Sequence, residues 1–259
     1  MNGSMLEKKG AFLMNETIKT IQNHRSIRSF LDKDIEDNLL DEIIQSAQAM
    51  PNSINGQQTS VIVIRSKETK ARIAELAGGQ KWIDDAPVFL VFVMDFYKTR
   101  LAAEKNGLKQ VIHESVEGTM VGTFDAGLNM GGAIVAAESF GLGIVPIGGV
   151  RRNPEDIIEL LGLPEYTFPV AGLAIGYPLE PSHKKPRLPQ STFRHNEKYN
   201  MEGLREAIDQ YDSEMESYLS EIGRQQEGNW SQYTSNIYQN VYYPKVYPVL
   251  KQQGFQNDK

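Results

Sequence analysis

Apolar residues recur along this chain with two different periods, and the changes between them mark out its elements. Helical spacing, with apolar side chains three or four apart, runs over 15–24 through Ile18 and Ile21, and more strongly over 36–49 through Leu39, Leu40, Ile43, Ile44 and Ala47. Pro51 stops that helix, and the polar loop PNSINGQQ follows at 51–58. SVIVIR at 60–65 is β-branched and predicts a strand, while 70–77 predicts a helix closed by Gly78 and Gly79 at positive φ. The unbroken apolar run APVFLVFVM at 86–94 predicts a strand covered on both faces, hence one at the centre of a sheet.

A long helix is predicted over 115–140, and it is dense in Gly118, Gly122, Gly127, Gly131 and Gly132. Each interior glycine costs about 1 kcal/mol against alanine. So many imply close approach of another backbone, such as that of a second subunit. A strand over 143–150 running into a Gly–Gly turn comes next, then a helix that starts at Asn153-Pro154-Glu155-Asp156 and closes at Gly162. A strand at 170–177 and an amphipathic helix at 204–222, with Leu204, Ala207, Tyr211, Met215 and Leu219 on one face, complete the regular pattern. The tail over 229–255 carries Trp230, Tyr233, Tyr238, Tyr242, Tyr243 and Tyr247, a composition suited to docking on a partner subunit.

Helices come first, and strands and helices then mix without a regular βαβ repeat. The expected fold is therefore α+β, three layers with a central mixed or antiparallel sheet flanked by helices. No G-x-G-x-x-G follows a predicted strand, and neither a P-loop nor a G-x-S-x-G elbow is present, which disfavours a Rossmann dehydrogenase, a P-loop NTPase and an α/β-hydrolase. The globular pattern begins at Met14. Residues 1–13 read as an N-terminal extension to one domain over 14–259.

Composition narrows the chemistry. With no cysteine, thiolate catalysis, disulfides and Cys-ligated metal or iron–sulfur centres drop out, so redox work would need a borrowed cofactor. His24, His113, His183 and His195 have no short metal-ligand spacing, and no metal is expected. The net charge of −6 argues against nucleic acid or anionic membranes as partners. The apolar stretch at 120–140 is interrupted by Asp125, Asn129 and Glu138, so it is not expected to span a membrane, and a cytoplasmic location is expected.

Basic clusters in an acidic protein are local tools, and two stand out. HRSIRSF, at 24–30, gathers two guanidiniums, an imidazole and two hydroxyls within seven residues, a set suited to gripping a phosphate or forming an ordinary basic turn. KKPRLP, at 184–189, reads by itself as a solvated basic loop. PIGGVR at 146–151 and PNSINGQQ read alone as a tight turn and a polar loop.

Taken in order, HRSIR, AGGQ before an aromatic, IGG and KPRLP resemble the oxygen-insensitive nitroreductase and flavin reductase family, specifically its NADPH-using, FMN-binding group, over about 14–255. The resemblance implies that His24, Arg25, Ser26 and Arg28, with Lys185 and Arg187, hold the FMN phosphate and ribityl chain. It places Asn52 and Ser53 where the family usually carries serines, and puts Gln80 on the pyrimidine edge of the flavin. Pro146, Ile147, Gly148 and Gly149 would pass beside the ring, with a backbone N–H reaching N5. It further implies a homodimer with FMN at the subunit interface. NADPH would give hydride to flavin N5, and free flavins, nitroaromatics or quinones would then be reduced at the same face, in ping-pong order without a catalytic side chain.

Two positions depart from the family pattern. Pro146 stands where some relatives have an aromatic, and Glu221 where some place an arginine for the NADPH 2′-phosphate. Arg224, and also Arg28, become the candidates for NADPH, and NADH is kept as an alternative co-substrate. The competing readings are a flavin-storing protein of low turnover, and an azo or dehalogenating reductase on the same scaffold.

Overall fold

The computed structural model describes residues 15–180 and 182–259, so the expected extension at 1–13 lies outside the described residues. In chain order the elements are α1 (Glu16–Gln22), α2 (Asp37–Gln48), β1 (Thr59–Ile64), α3 (Lys67–Leu76), α4 (Lys81–Asp85), β2 (Val88–Asp95) and α5 (Tyr97–Lys105). There follow α6 (Val116–Ser139), β3 (Gly143–Ile147), α7 (Pro154–Leu161), β4 (Thr167–Gly176), α8 (Leu204–Glu221), α9 (Trp230–Tyr238) and α10 (Val246–Gln252).

The four strands form one sheet in the order β1-β2-β4-β3, every neighbouring pair antiparallel. Of the two sheet types expected, the antiparallel one is observed. β2 is buried along its whole length, as its continuous apolar run requires. Its alternate side chains serve two cores. Phe89, Val91 and Val93 pack with Ile73 of α3, Ile83 of α4 and Ile157 of α7, while Val88, Leu90 and Phe92 pack with Ile43 of α2 and Ala126 and Ala133 of α6. Period two in the strand therefore builds the three layers.

Helix α6 explains part of its glycine content within its own chain. A Cβ on Gly122 would lie 2.4 Å from the Met94 side chain, and one on Gly132 would lie 2.9 Å from the Ser46 carbonyl of α2. Gly127 and Gly131 have nothing within 4 Å, and Met120 (61% exposed) and Phe124 (66% exposed) lie on the same helix.

The structure departs from or adds to the expected elements at three places. The strand predicted over 143–150 ends at Ile147, because Gly148–Arg151 close into a 3-10 turn. The tail contains α9 and α10, and its end docks on its own chain: Val249, Leu250 and Phe255 bury against Met94, Phe96 and Phe168. Tyr238, Tyr242 and Tyr247 stay exposed. Helix α5 was not anticipated, since it buries no side chain and so leaves no apolar stripe to read. Among the described residues no helix is long and apolar enough to cross a membrane.

Candidate active site

The segment from His24 to Phe30 runs along the open edge of the sheet. Ser26 forms a parallel bridge with Ile144 of β3, the Ile27 N–H donates to the Ile144 carbonyl at 2.9 Å, and Phe30 bridges Pro178 just beyond β4. Edge pairing of this kind fixes which side chains turn inward. Ile27 and Phe30 enter the core, and His24, Arg25, Ser26 and Arg28 are left toward solvent.

The same pairing brings in the second basic segment. The Leu179 N–H donates to the Ser29 carbonyl at 3.0 Å, and the Ser182 hydroxyl donates to the Ser26 carbonyl at 3.1 Å. Residues far apart in the chain thus become neighbours. His24, Arg25, Ser26, Arg28, Lys185, Arg187 and Arg224 all line one cavity of about 800 Å³, walled on its apolar side by Trp82, Met215, Leu219 and Trp230.

The cavity wall holds its cations in place without neutralising most of them. Arg25 bonds the Asn23 side chain at 2.6 Å, and Arg187 donates to the Lys185 carbonyl at 2.9 Å. The Arg28 guanidinium lies 5.5 Å from the centre of the Trp82 ring. None of Arg25, Arg28, Lys185 and Arg187 forms an ion pair with a carboxylate among the described residues. His24 does, with Nδ1 2.6 Å from Glu138. Like charges gathered in this way repel one another, and a phosphate dianion accepting their N–H donors relieves that repulsion. The donor set therefore fits a phosphorylated ligand.

Tyr211 of α8 steadies the downstream half. Its hydroxyl donates to the Pro186 carbonyl at 2.9 Å, its ring meets Trp230 edge-on at 5.9 Å, and burial pushes its pKa up while the nearby Arg187 opposes the shift. Sequence periodicity marked Tyr211 only as a core residue of α8. Its role depends on a backbone carbonyl 25 residues away in the chain.

Arg224 reaches the cavity, but its Nε lies 2.5 Å from the Glu227 carboxylate, which offsets its charge. Gln80 and the PIGG turn touch each other and do not line this cavity. A Cβ on Gly149 would lie 2.4 Å from Gln80 Nε2 and 2.7 Å from the Ala77 carbonyl, so only glycine fits there. Ile147 points its side chain into the core, leaving its backbone as the only part able to face a ligand, whereas Pro146 is exposed. Gly148 lies between them and Gly149, half-buried. Asn52 and Ser53 are not brought to the cavity of their own chain; the Ser53 N–H bonds Asp125 of α6 instead. No group of three or more His, Asp or Glu side chains is placed to hold a metal among the described residues.

At the edge of an antiparallel α+β core, Arg25, Arg28, Lys185 and Arg187 thus gather on one cavity as a donor set that fits a phosphate. The Nitroreductase family matches residues 21–177 and the Nitroreductase family C-terminal domain matches residues 185–258, and the chain belongs to that family. It is 48% identical over 249 residues to a Bacillus subtilis protein named FMN reductase [NAD(P)H], covering 95% of this chain and 100% of that one. The solved structure of B. megaterium NfrA2 superimposes with a TM-score of 0.92 at 50% identity, covering 95% of this chain and 100% of the other. An NADPH:FMN oxidoreductase from Vibrio harveyi, complexed with NAD+, superimposes with a TM-score of 0.85 at 33% identity, over 93% and 99% of the two chains.

Proposed function

We propose that this chain is an NAD(P)H-dependent FMN oxidoreductase that passes electrons to free flavins, nitroaromatics or quinones. The observation that carries the reading is the convergence of Arg25, Arg28, Lys185 and Arg187, unpaired with carboxylates among the described residues, on one open cavity with aromatic walls. Names of relatives on both sides of the comparison, FMN reductase and NADPH:FMN oxidoreductase, agree with it.

Arg28 and Arg187 would take the phosphate oxygens with their forked donors, and Lys185 and Arg25 would add charge. His24 and Ser26 would bond the phosphate and the adjoining ribityl hydroxyls. Gln80 would orient the pyrimidine edge, and the buried Gly149 would let the 146–149 backbone run close to the ring, with one of its N–H groups as the donor at N5. When bound, FMN supplies two-electron chemistry, taking a hydride from the reduced nicotinamide and giving electrons to the acceptor in alternate half-reactions. The chain's own contribution is orientation, positive potential and an open apolar wall on which a flat acceptor stacks. NADPH is favoured over NADH only as far as Arg28 or Arg224 meets its 2′-phosphate, and the Glu227 pair weakens the case for Arg224.

A homodimer belongs to the same proposal. Val116, Met120 and Phe124 lie one helical turn apart on α6 and are exposed, and Gly127 and Gly131 continue toward open space. An apolar helix face of this kind fits a second copy better than water. The exposed tyrosines of the tail would lie over that partner, and residues 14–259 would act as one unit in the cytoplasm.

Purified protein should carry visible flavin absorbance that bleaches on anaerobic NADPH and returns on adding FMN or a nitroaromatic. Protein that holds FMN yet stays oxidised with both NADPH and NADH would point to flavin storage and end the reductase reading.

A further inference from the structure

Glu138 stands where a carboxylate is least favoured. It is the second-last residue of α6, at the helix end whose dipole opposes an anion, and it interrupts an otherwise apolar run. Its side chain is 12% exposed, and Oε2 is buried without a hydrogen-bond partner among the described residues. A carboxylate so poorly supplied with donors is retained at a cost, and packing alone does not explain it.

The other oxygen has one partner. Oε1 lies 2.6 Å from Nδ1 of His24, 114 residues earlier in the chain, and no lysine or arginine pairs with Glu138 among the described residues. Glu138 lines a separate cavity of about 470 Å³, whereas His24 lines the cationic one with Arg25, Arg28, Lys185 and Arg187. Glu138 therefore reaches the cationic cavity only through the imidazole.

That bond decides which nitrogen serves the cavity. A carboxylate only accepts, so Nδ1 carries the hydrogen, and Nε2 is the ring nitrogen left over. A ring with a single proton then offers a bare lone pair, which repels a phosphate oxygen. With two protons the ring donates to Glu138 and to the phosphate at once.

We propose that Glu138 is a positioning residue for the cofactor phosphate, holding His24 by Nδ1 so that the ring takes up one solvent proton at Nε2 as FMN binds and donates a hydrogen bond to the phosphate from there. The inference rests on the flavin reading above and adds a linked proton to it. FMN affinity therefore falls as pH rises. The charged and titratable groups that share the cavity with His24 are Arg25 and Arg28 on its own segment, Glu180, His183, Lys185 and Arg187 after β4, Tyr211 and Tyr218 of α8, Arg224 and Glu227 after it, and Tyr233 of α9. A test must isolate the His24–Glu138 pair from these.

The assay is FMN titration of flavin-free protein, read by quenching of flavin fluorescence, from about pH 7 to 9, above the ordinary imidazole value and the second ionisation of a phosphate monoester. Wild type is expected to lose affinity toward the limit of about tenfold per pH unit, the slope of one linked proton. Glu138→Gln keeps a polar partner on Nδ1 without the charge, and its amide can donate there, leaving a single ring proton on Nε2. Its affinity is expected to stay within about threefold over the same range, because no proton is then taken up. His24→Gln, at a side chain 27% exposed, should flatten the profile in the same way and reads the proton from the other side of the bond if Glu138→Gln does not fold.

A double variant separates positioning through the ring from any other role. Adding Glu138→Gln to His24→Gln should change FMN affinity by less than about twofold, since residues acting as one unit are not additive. A further tenfold loss would overturn the inference, and so would equal pH profiles of wild type and Glu138→Gln, or a slope retained in His24→Gln. Wild-type protein that binds FMN tightly but without a pH slope overturns the inference alone. Wild type that binds no FMN at any pH would instead overturn the flavin reading, and the inference with it.

Discussion

Replacing Arg28 and Arg187 together by alanine separates binding from folding, because neither guanidinium has a carboxylate partner among the described residues. Arg28 is exposed and rests on Trp82, and among the described residues Arg187 donates to the nearby carbonyls of Lys185 and Pro186. Removing them therefore changes the melting behaviour of the flavin-free protein by less than about 0.5 kcal/mol, as for surface substitutions in general. Binding is another matter. A hydrogen bond to a charged group contributes about 1.5–3 kcal/mol, so two lost phosphate contacts amount to about 3–6 kcal/mol. At about 1.4 kcal/mol per tenfold, FMN affinity falls by about a hundred- to ten-thousandfold. Exposure of Arg28 to solvent and salt puts the expected value toward the lower end. Arg28→Lys keeps the charge but not the fork, and it should lie between wild type and Arg28→Ala. The assay is titration of FMN at two salt concentrations, with thermal melts of the same samples. A double variant that keeps FMN within about threefold of wild type would refute the phosphate assignment.

Four further outcomes are expected. Gly149→Ala forces a Cβ against the Ala77 carbonyl and Gln80, so it should lower stability by about 1–3 kcal/mol in urea unfolding and loosen FMN with it. Phe124→Asp places a charge on the exposed face of α6, and sedimentation should show a shift from dimer toward monomer. Tyr211→Phe deletes the bond to the Pro186 carbonyl, and stopped-flow binding should show faster FMN release with little change in the association rate. Burial holds the His113 pKa below the ordinary imidazole value, against Glu114 and with Lys109, Lys259 and Arg100 nearby, while Gln110 and the Tyr166 ring pack on it. The unfolded chain then takes up a proton that the native state refuses below about pH 6.5, so the contribution present above that pH is lost as pH falls. His113→Gln should flatten the fall in melting temperature between about pH 7 and 5 relative to wild type.

Much of the architecture was readable from residue order alone. The apolar run of β2 announced a strand covered on both faces, and it is buried from Val88 to Asp95. The alternation within it even assigns residues to two cores. Gly78 and Gly79 were expected at positive φ after α3, and they stand at 94° and 79°. These features are local, since strand and helix periods and glycine conformations depend on neighbours a few residues away. Helix α5 and the short helices of the tail escaped for the same reason: α5 buries nothing, and Val249, Leu250 and Phe255 acquire their core only from Met94, Phe96 and Phe168.

Residue order by itself determined the α+β layering, the central strand and the inventory of cationic segments, because each is written in short-range periodicity or composition. Only the tertiary structure decided how those segments combine. His24 to Phe30 meets Pro178, Leu179 and Ser182 because Ile27 and Phe30 must bury at the sheet edge, and that burial leaves Arg28 and Arg187 in one cavity. Asn52 and Ser53 are grouped with the other expected site residues by sequence, and in space the Ser53 N–H bonds the buried Asp125 while neither residue lines the cavity of its own chain. Long-range pairings of this kind are selected by register and burial, which no local pattern encodes.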